Sequence, residues 1–358
     1  MSQIKALEFY SGIGGLHLAL SCSNVPAFVA NAFDWDQNAC DVYSANFGPG
    51  IARKVDISTL TAAHLATLKA TLWLLSPACQ PYTVLNPSAK GELDPRAKSF
   101  LHLVQNVLPE LAHEDAHPTH FLVENVGGFE TSSTRQVLVS TLHNLGYTIA
   151  EFLLTPLQFG IPNSRLRYYL LAKRSPLSFH DLPSGEGETL RHIPGRGTKL
   201  WVDSRLAPAA DSNAIGDDSV REIREYLDPE PVEGCSIPDK ILCKWGRLFD
   251  IVLPSSRRTC CFTRGYTQLV ERAGSVLQMN ENQDTTMVFD EFLQAQSSTV
   301  EAIDAVRILD LLRLRYFSPD ELLRLFSFTP LAPHDSTKHA FTWPEGNFTK
   351  DQVSSNWK

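Results

Sequence analysis

Over roughly the first 175 residues, short apolar runs alternate with segments whose apolar residues recur every three or four positions. KALEFYS (Lys5–Ser11), AFVANAF (Ala27–Phe33), TLWLLS (Thr71–Ser76), THFLVENV (Thr119–Val126), TIAEFLLT (Thr148–Thr155) and LRYYLLAK (Leu166–Lys173) have the length and content of strands. QNACDVYSANF and RAKSFLHLVQNVLPEL between them have helical spacing. TSSTRQVL supplies hydroxyls to cap a helix start, and Gly146 in HNLGY supplies a stop. Such an alternation predicts βαβ units and an α/β fold with a mainly parallel sheet. Ligands of such sheets lie at the carboxyl ends of the strands.

The pattern weakens after Pro176. DLPSGEGETLRHIPGRGTK and APAADSNAIGDDS are rich in Gly, Pro, Ser and Asp, which predicts a smaller, looser region to about residue 299. Helical spacing returns in VEAIDAVRILDLLRLRYF and in SPDELLRLFSF. The latter opens with Ser318, Pro319 and, three residues after the serine, Glu321, the signature of a capping box. Three segments are therefore expected: 1–175, 176–299, and 300–358 returning to the first.

Composition changes this picture little. With 43% hydrophobic and 20% charged residues among 358, the chain has ample material for a core. No run approaches the length of a membrane span, and no secretory leader is visible, so a soluble protein of the cytoplasm, and of the nucleus as well, is expected. A monomer is expected too. Seven cysteines without regular spacing argue against a disulfide framework or a metal site. The formal net charge of −8 excludes a generally basic nucleic-acid binder but not local basic surfaces.

The candidate chemistry sits at the ends of the predicted strands. FYSGIGGLH puts Gly12, Gly14 and Gly15 at the first turn, where a backbone can approach a ligand closely; the spacing is neither GxGxxG nor a P-loop. AFDWDQ ends the second strand with Asp34, a candidate acceptor for ribose hydroxyls, and Trp35, a flat surface for adenine. In VDIS, Asp56 is placed to accept an adenine amino group. Together these describe an adenosine pocket without a phosphate cradle, which suits S-adenosylmethionine better than a dinucleotide. SPACQPYT holds Cys79 in a proline-rich frame after a strand, where a thiolate nucleophile is useful. VENV brings Glu124 and Asn125 to the next strand end, and a partly desolvated carboxyl there can donate to a ring nitrogen. NSRLRYY sets Arg165 and Arg167 two apart, read as one face of a strand.

Taken in order, FYSGIGG, AFDWD, VDIS, SPACQPYT, VENVGGF and NSRLRYY resemble the cytosine-5 methyltransferase superfamily. SFLHLVQNVLPEL, FGIPNSRLRYYLLAK and CCFTRGYTQLVERAGSVLQ resemble its branch that methylates transfer RNA, especially aspartate tRNA, whose Cys-Phe-Thr signature falls on Cys261, Phe262 and Thr263. The resemblance implies a Rossmann-like class I methyltransferase sheet with a smaller target-recognition domain. It implies S-adenosylmethionine held by Tyr10, Gly12, Gly14, Gly15, Asp34, Trp35, Asp56 and Ile57, with S-adenosylhomocysteine as product. Catalysis would fall to Cys79, Glu124, Arg165 and Arg167. RNA would be met by Asn125, Cys261, Phe262 and Thr263, and by Arg257, Arg258 and Arg264 around the signature.

Two departures stand out. Ala78 occupies the place of the family's proline, and FTWPEGNFTKDQVSSNWK resembles the approach to a last cofactor-closing turn that the chain does not reach. A weakened RNA-binding protein on the same fold is therefore the alternative expectation. A DNA methyltransferase fits the short recognition region and the signature less well. A nicotinamide-dependent dehydrogenase leaves Cys79 and Glu124 without a role.

Overall fold

A computed structural model describes residues 3–82, 91–179, 182, 188–194, 219–230, 233–263, 265–271, 273–297, 305–331 and 341–342. Contacts divide the chain into two units. The first comprises Met1–Leu154, Leu166–Asp203 and Thr342–Pro344; the second comprises Thr155–Arg165, Ser204–Phe341 and Glu345–Lys358.

The first unit is built on an eight-stranded sheet. Its strands are β1 (Ile4–Phe9), β2 (Ala27–Asp34), β3 (Ala52–Lys54), β4 (Leu72–Leu75), β5 (His120–Val126), β6 (Tyr147–Leu154), β7 (Arg167–Arg174) and β8 (Thr189–Leu190). They lie in the order β3-β2-β1-β4-β5-β7-β6-β8. β1 to β5 pair in parallel, and β7 runs antiparallel to both neighbours. All six strands expected from the pattern form, with ends shifted by a residue or two. The short β3 carried too few residues to show any period.

Alternation along β1 assigns its two faces. Leu7 and Phe9 join Trp73, Leu75, Phe121 and Val123 in the larger core, covered by the helical stretch 98–113 and by helix Ser133–Asn144. Ala6 joins Val29, Ala32, Tyr43 and Leu74 on the opposite face, under helices Gly15–Ser21 and Gln37–Phe47. Ser132 caps its helix by accepting from Arg135 N–H, and Gly146 follows the helix end at φ 78°, as expected. The stretch 98–113 carries one surprise, a π-helical turn at Leu103–Val107. Pro109 follows just inside the next segment. A proline there removes an amide donor and crowds the carbonyl four residues back, and the widened turn accommodates both.

The second unit holds a three-stranded sheet, with β10 (Ser275–Gln278) between β9 (Asp250–Val252) and β11 (Leu314–Arg315). The helix Pro319–Leu325 starts with the expected capping box on Ser318 and Glu321. Its buried Glu321 also takes both Nη groups of Arg315 and the amide of Asp228. Residues 305–331 are thus tied to the second unit, correcting their expected return to the first. Thr155–Arg165 also belongs to the second unit, because Ser164 N–H donates to Thr259 O and Thr259 N–H donates to Pro162 O, both at 2.8 Å.

Candidate active site

The sheet order reverses direction between β1 and β4, so the crevice expected in such folds opens at their carboxyl ends. The register aligns those ends. Phe9 pairs with Phe33 and Leu75, and Leu75 pairs with Val123. The residues that follow are the glycine turn, Asp34, the cysteine frame and Glu124. Four of the six motifs thus share one sheet edge, the VDIS segment follows β3 at the same edge, and β7 begins there with Arg167 opposite Val126.

The glycine turn requires unusual backbone. Tyr10 and Gly12 have φ of 59° and 51°, and Gly14 has φ of 94°. A Cβ on Gly14 would lie 2.2 Å from the ring of Phe47, so glycine lets the turn rest on the helix Gln37–Phe47. A Cβ on Gly12 would meet nothing within 4 Å. Beside it, the buried Ser11 hydroxyl has no hydrogen-bond partner among the described residues. Asp34 is fully buried. Its Oδ2 accepts from Gly12 N–H at 2.8 Å and its Oδ1 from Asp36 N–H at 3.0 Å. The expected ribose acceptor is instead a brace that holds the turn against the end of β2. Trp35 is 57% exposed.

Asp56 is exposed, and its Oδ1 accepts the Ser58 hydroxyl and amide at 2.7 and 2.9 Å. These bonds lower its pKa. The expected contributions of Tyr10 and Ile57 do not come from open side chains. Tyr10 is nearly buried with its hydroxyl on Ser99 at 3.0 Å, and Ile57 sits in the core.

Beneath the turn lies a polar cluster that the sequence did not announce. Glu8, fully buried on the Tyr43 face of β1, accepts from Tyr43 Oη at 2.8 Å and from His17 N–H at 3.3 Å. His17 Nδ1 lies 2.7 Å from Tyr43 Oη. Burial pushes the Glu8 carboxyl up to about 8 against the Tyr43 bond, and burial lowers His17 to about 4. No cation contacts Glu8 among the described residues, so a neutral carboxyl is the stable form.

Cys79 is half-buried, and its carbonyl accepts from Tyr82 N–H at 3.0 Å, closing a tight turn. Two side chains pin this loop. Ser76 Oγ donates to Tyr10 O at 2.9 Å, and Asn125 Nδ2 donates to Pro77 O at 3.2 Å. Asn125 is 1% exposed, so it braces the nucleophile loop and offers no surface to a substrate, correcting that expectation. Arg96 was missed by sequence reasoning. Asp94 grips its guanidinium with two bonds of 2.9 and 2.7 Å. Its pKa is raised first by those bonds and also by the Cys79 thiol, which lies within electrostatic range. By reciprocity Arg96 favours the thiolate. The only sequence signal was an Asp-Pro-Arg turn after a short loop.

Glu124 and Arg167 form an ion pair, Nε to Oε1 at 3.1 Å, with both side chains mostly covered. Arg165 does not share their strand. β7 begins at Arg167, and Arg165 lies in the second unit. There its Nη1 donates to Cys261 Sγ at 3.2 Å and to Phe262 O at 3.3 Å, and its guanidinium lies 5.9 Å over the ring of Phe326.

Phe262 is 1% exposed and meets Tyr266, Phe317 and Phe326 edge-on at 4.9, 5.3 and 6.1 Å. Gly274 makes room for it, since a Cβ there would lie 2.5 Å from Phe262 and from Tyr266. Phe262 is thus a core residue, correcting its expected contact with RNA. Thr263 is tied to Ala273 by its amide at 2.9 Å. Arg257 is committed to Glu222 at 3.1 Å and to the Val220 carbonyl, whereas Arg258 is 58% exposed beside Asp250 at 3.5 Å. Arg264 and the C-terminal stretch 343–358 lie outside the described residues.

A doubly wound sheet with a cysteine beside a glycine turn at its switch point defines a nucleoside-cofactor enzyme with a thiol nucleophile. The model of the C-5 cytosine-specific DNA methylase family matches residues 4–329, and the chain belongs to that family. The tRNA (cytosine(38)-C(5))-methyltransferase of Schizosaccharomyces pombe is 37% identical over 350 residues, covering 97% of this chain and 90% of the relative. A DNA (cytosine-5)-methyltransferase of Dictyostelium discoideum is 34% identical, over 92% and 86%. The crystal structure of S. pombe Dnmt2 methyltransferase superposes with a TM-score of 0.73 at 33% identity, covering 99% of this chain and 93% of the other.

An adenosine cofactor, as the family implies, fits the residues present. The Ser11 hydroxyl, without a partner among the described residues, the open space at Gly12 and the exposed Trp35 follow the carboxyl ends of the paired strands β1 and β2.

Proposed function

We propose that the chain methylates carbon 5 of cytosine in transfer RNA, with aspartate tRNA as its preferred substrate, using S-adenosylmethionine. The observation that carries this reading is the shared sheet edge, with the glycine turn, the Cys79 frame and Glu124 on three neighbouring strands. The cofactor supplies an electrophilic methyl group. Ser11, the Gly12 backbone, Trp35 and Asp56 would hold it.

The target base leaves its stack to reach the edge. Cys79 thiolate adds to carbon 6, and the displaced electron pair makes carbon 5 nucleophilic. Glu124, aimed by Arg167, takes up a proton as the base enters and donates it in a hydrogen bond to ring nitrogen 3, which stabilises that state. After methylation a base removes the carbon 5 proton, and elimination breaks the bond to sulfur and restores Cys79. Ala78 leaves this loop one proline short, but Asn125 and Ser76 fix it through other bonds.

The S. pombe relative's name supports RNA as the substrate, and the Dictyostelium relative's name supports DNA. The test is methyl transfer from labelled S-adenosylmethionine to total tRNA and, separately, to duplex DNA, with the chain and its Cys79→Ala variant. Label in tRNA that disappears with the variant is expected. Label confined to DNA, or tRNA left unlabelled while the cofactor binds, would sink the proposal.

A further inference from the structure

We infer that Cys261 of the Cys-Phe-Thr signature is a positioning residue that sets the guanidinium of Arg165. The inference rests on the function proposed above and on the catalytic part that the family resemblance implies for Arg165.

Arg165 Nη1 is shared between Cys261 Sγ and the Phe262 carbonyl, at 3.2 and 3.3 Å. The thiol in turn lies 3.5 Å from that same carbonyl, to which its proton points as donor. Sulfur, carbonyl and guanidinium thus close a small ring of polar contacts. The thiol accepts from the arginine and donates to the carbonyl. A thiol used in both directions is a scaffold.

The scaffold is rigid for reasons already described. Phe262 is locked in an aromatic cluster, and Thr263 is tied to Ala273. On the other side, Ser164 is bonded to Thr259, so the backbone on either side of the arginine–cysteine contact is fixed. Phe326 covers the guanidinium from a further direction. The signature therefore does for an arginine what Asn125 does for the cysteine loop. It fixes a long, rotamer-rich side chain whose free motion would otherwise oppose a defined geometry.

This assignment makes a specific demand on substitutions. Serine keeps one acceptor and one donor at the same position, whereas alanine keeps neither. Single-turnover methyl transfer to tRNA, tRNA affinity and thermal midpoint are measured for Cys261→Ala, Cys261→Ser, Arg165→Ala and the Cys261→Ala/Arg165→Ala pair. The expected result is a rate roughly tenfold lower for Cys261→Ala, the equivalent of one lost hydrogen bond to a charged group. Affinity and thermal midpoint should hardly move, and Cys261→Ser should recover most of the rate. The double variant should be no slower than Arg165→Ala, because a residue that acts through Arg165 has nothing left to act on.

A rate for the double variant that is the product of the two single losses would overturn the inference. So would a serine variant as slow as alanine, or an alanine variant as fast as the parent. An unchanged chain that transfers no label, or a Cys79→Ala variant that still does, would instead overturn the proposed function and this inference with it.

Discussion

The sheet edge of the first unit and the signature segment of the second solve the same problem with different materials. At the edge, polar side chains are consumed in pointing loops. Asp34 holds the glycine turn, Asn125 and Ser76 hold the cysteine frame, and Asp94 holds Arg96. In the signature segment, aromatic packing provides rigidity, and a single thiol sets one arginine. The difference teaches that rigidity and chemistry are separable in the second unit but interlaced in the first. At the edge, loss of the nucleophile should damage rate alone and loss of a polar brace should damage rate and stability together, whereas substitutions in the aromatic cluster should damage stability.

The sharpest separation is expected from Cys79→Ala. Loss of a covalent nucleophile lowers the rate by at least about 10⁴-fold, while the thermal midpoint stays put. Phe262→Ala is the mirror case. Truncating a fully buried phenylalanine costs about 3–5 kcal/mol, read as a lower midpoint in chemical denaturation. A variant that stayed as stable as the parent would break the comparison.

Next comes Asn125→Ala, which frees the Pro77 carbonyl and loosens the loop. The loss is about 1–3 kcal/mol, mostly in transfer rate, because the amide of a buried asparagine is removed with its partner left behind. Arg96→Gln should be milder still and is read most directly on the thiol. The alkylation rate of Cys79 as a function of pH should shift toward higher pH when the cation is lost. An unshifted profile would leave Arg96 without electrostatic work at this thiol.

The smallest effect concerns pH. Glu8 is raised from 4.5 to about 8 in the folded chain, so its stabilising contribution is complete below pH 4.5 and is lost as pH rises through about 8. His17 is lowered from 6.5 to about 4, so its contribution is complete above 6.5 and is lost as pH falls toward 4. The two oppose each other between 4.5 and 6.5. Above 6.5 only Glu8 acts, and stability should fall toward pH 8 by at most about 1.4 kcal/mol per pH unit. Glu8→Gln should flatten that slope; a slope that persisted would place its origin elsewhere.

Much of the first unit was legible because apolar period and turn residues are local signals. Ser132, Gly146, Ser318 and Glu321 cap as the sequence indicated, since a cap is decided within four residues. The antiparallel insertion of β7 between β5 and β6 was not legible, because strand order depends on contacts far apart in the chain. The site was readable as a list of positions but not as a list of roles. Asp34 and Asn125 are where expected, yet burial turns both inward, and nothing in a one-dimensional pattern says which way a polar group faces. Arg165 was paired with Arg167 by spacing alone, and the bonds around Thr259 draw it away. Ser11 and Arg96 stood out only after neighbouring strands were aligned.

The π-helical turn at Leu103–Val107 also works as a phase shifter. One extra residue in a helix rotates everything beyond it by about 100°. Before the turn the helix sends Phe100 into the core and Ser99 to Tyr10; after it, Leu108 and Leu111 face the core. Deleting a single residue from this turn would restore an ordinary helix and swing Leu108 and Leu111 toward water. Length polymorphism at this spot should therefore be far less tolerated than its helical appearance suggests, and should matter as much as a substitution in the core.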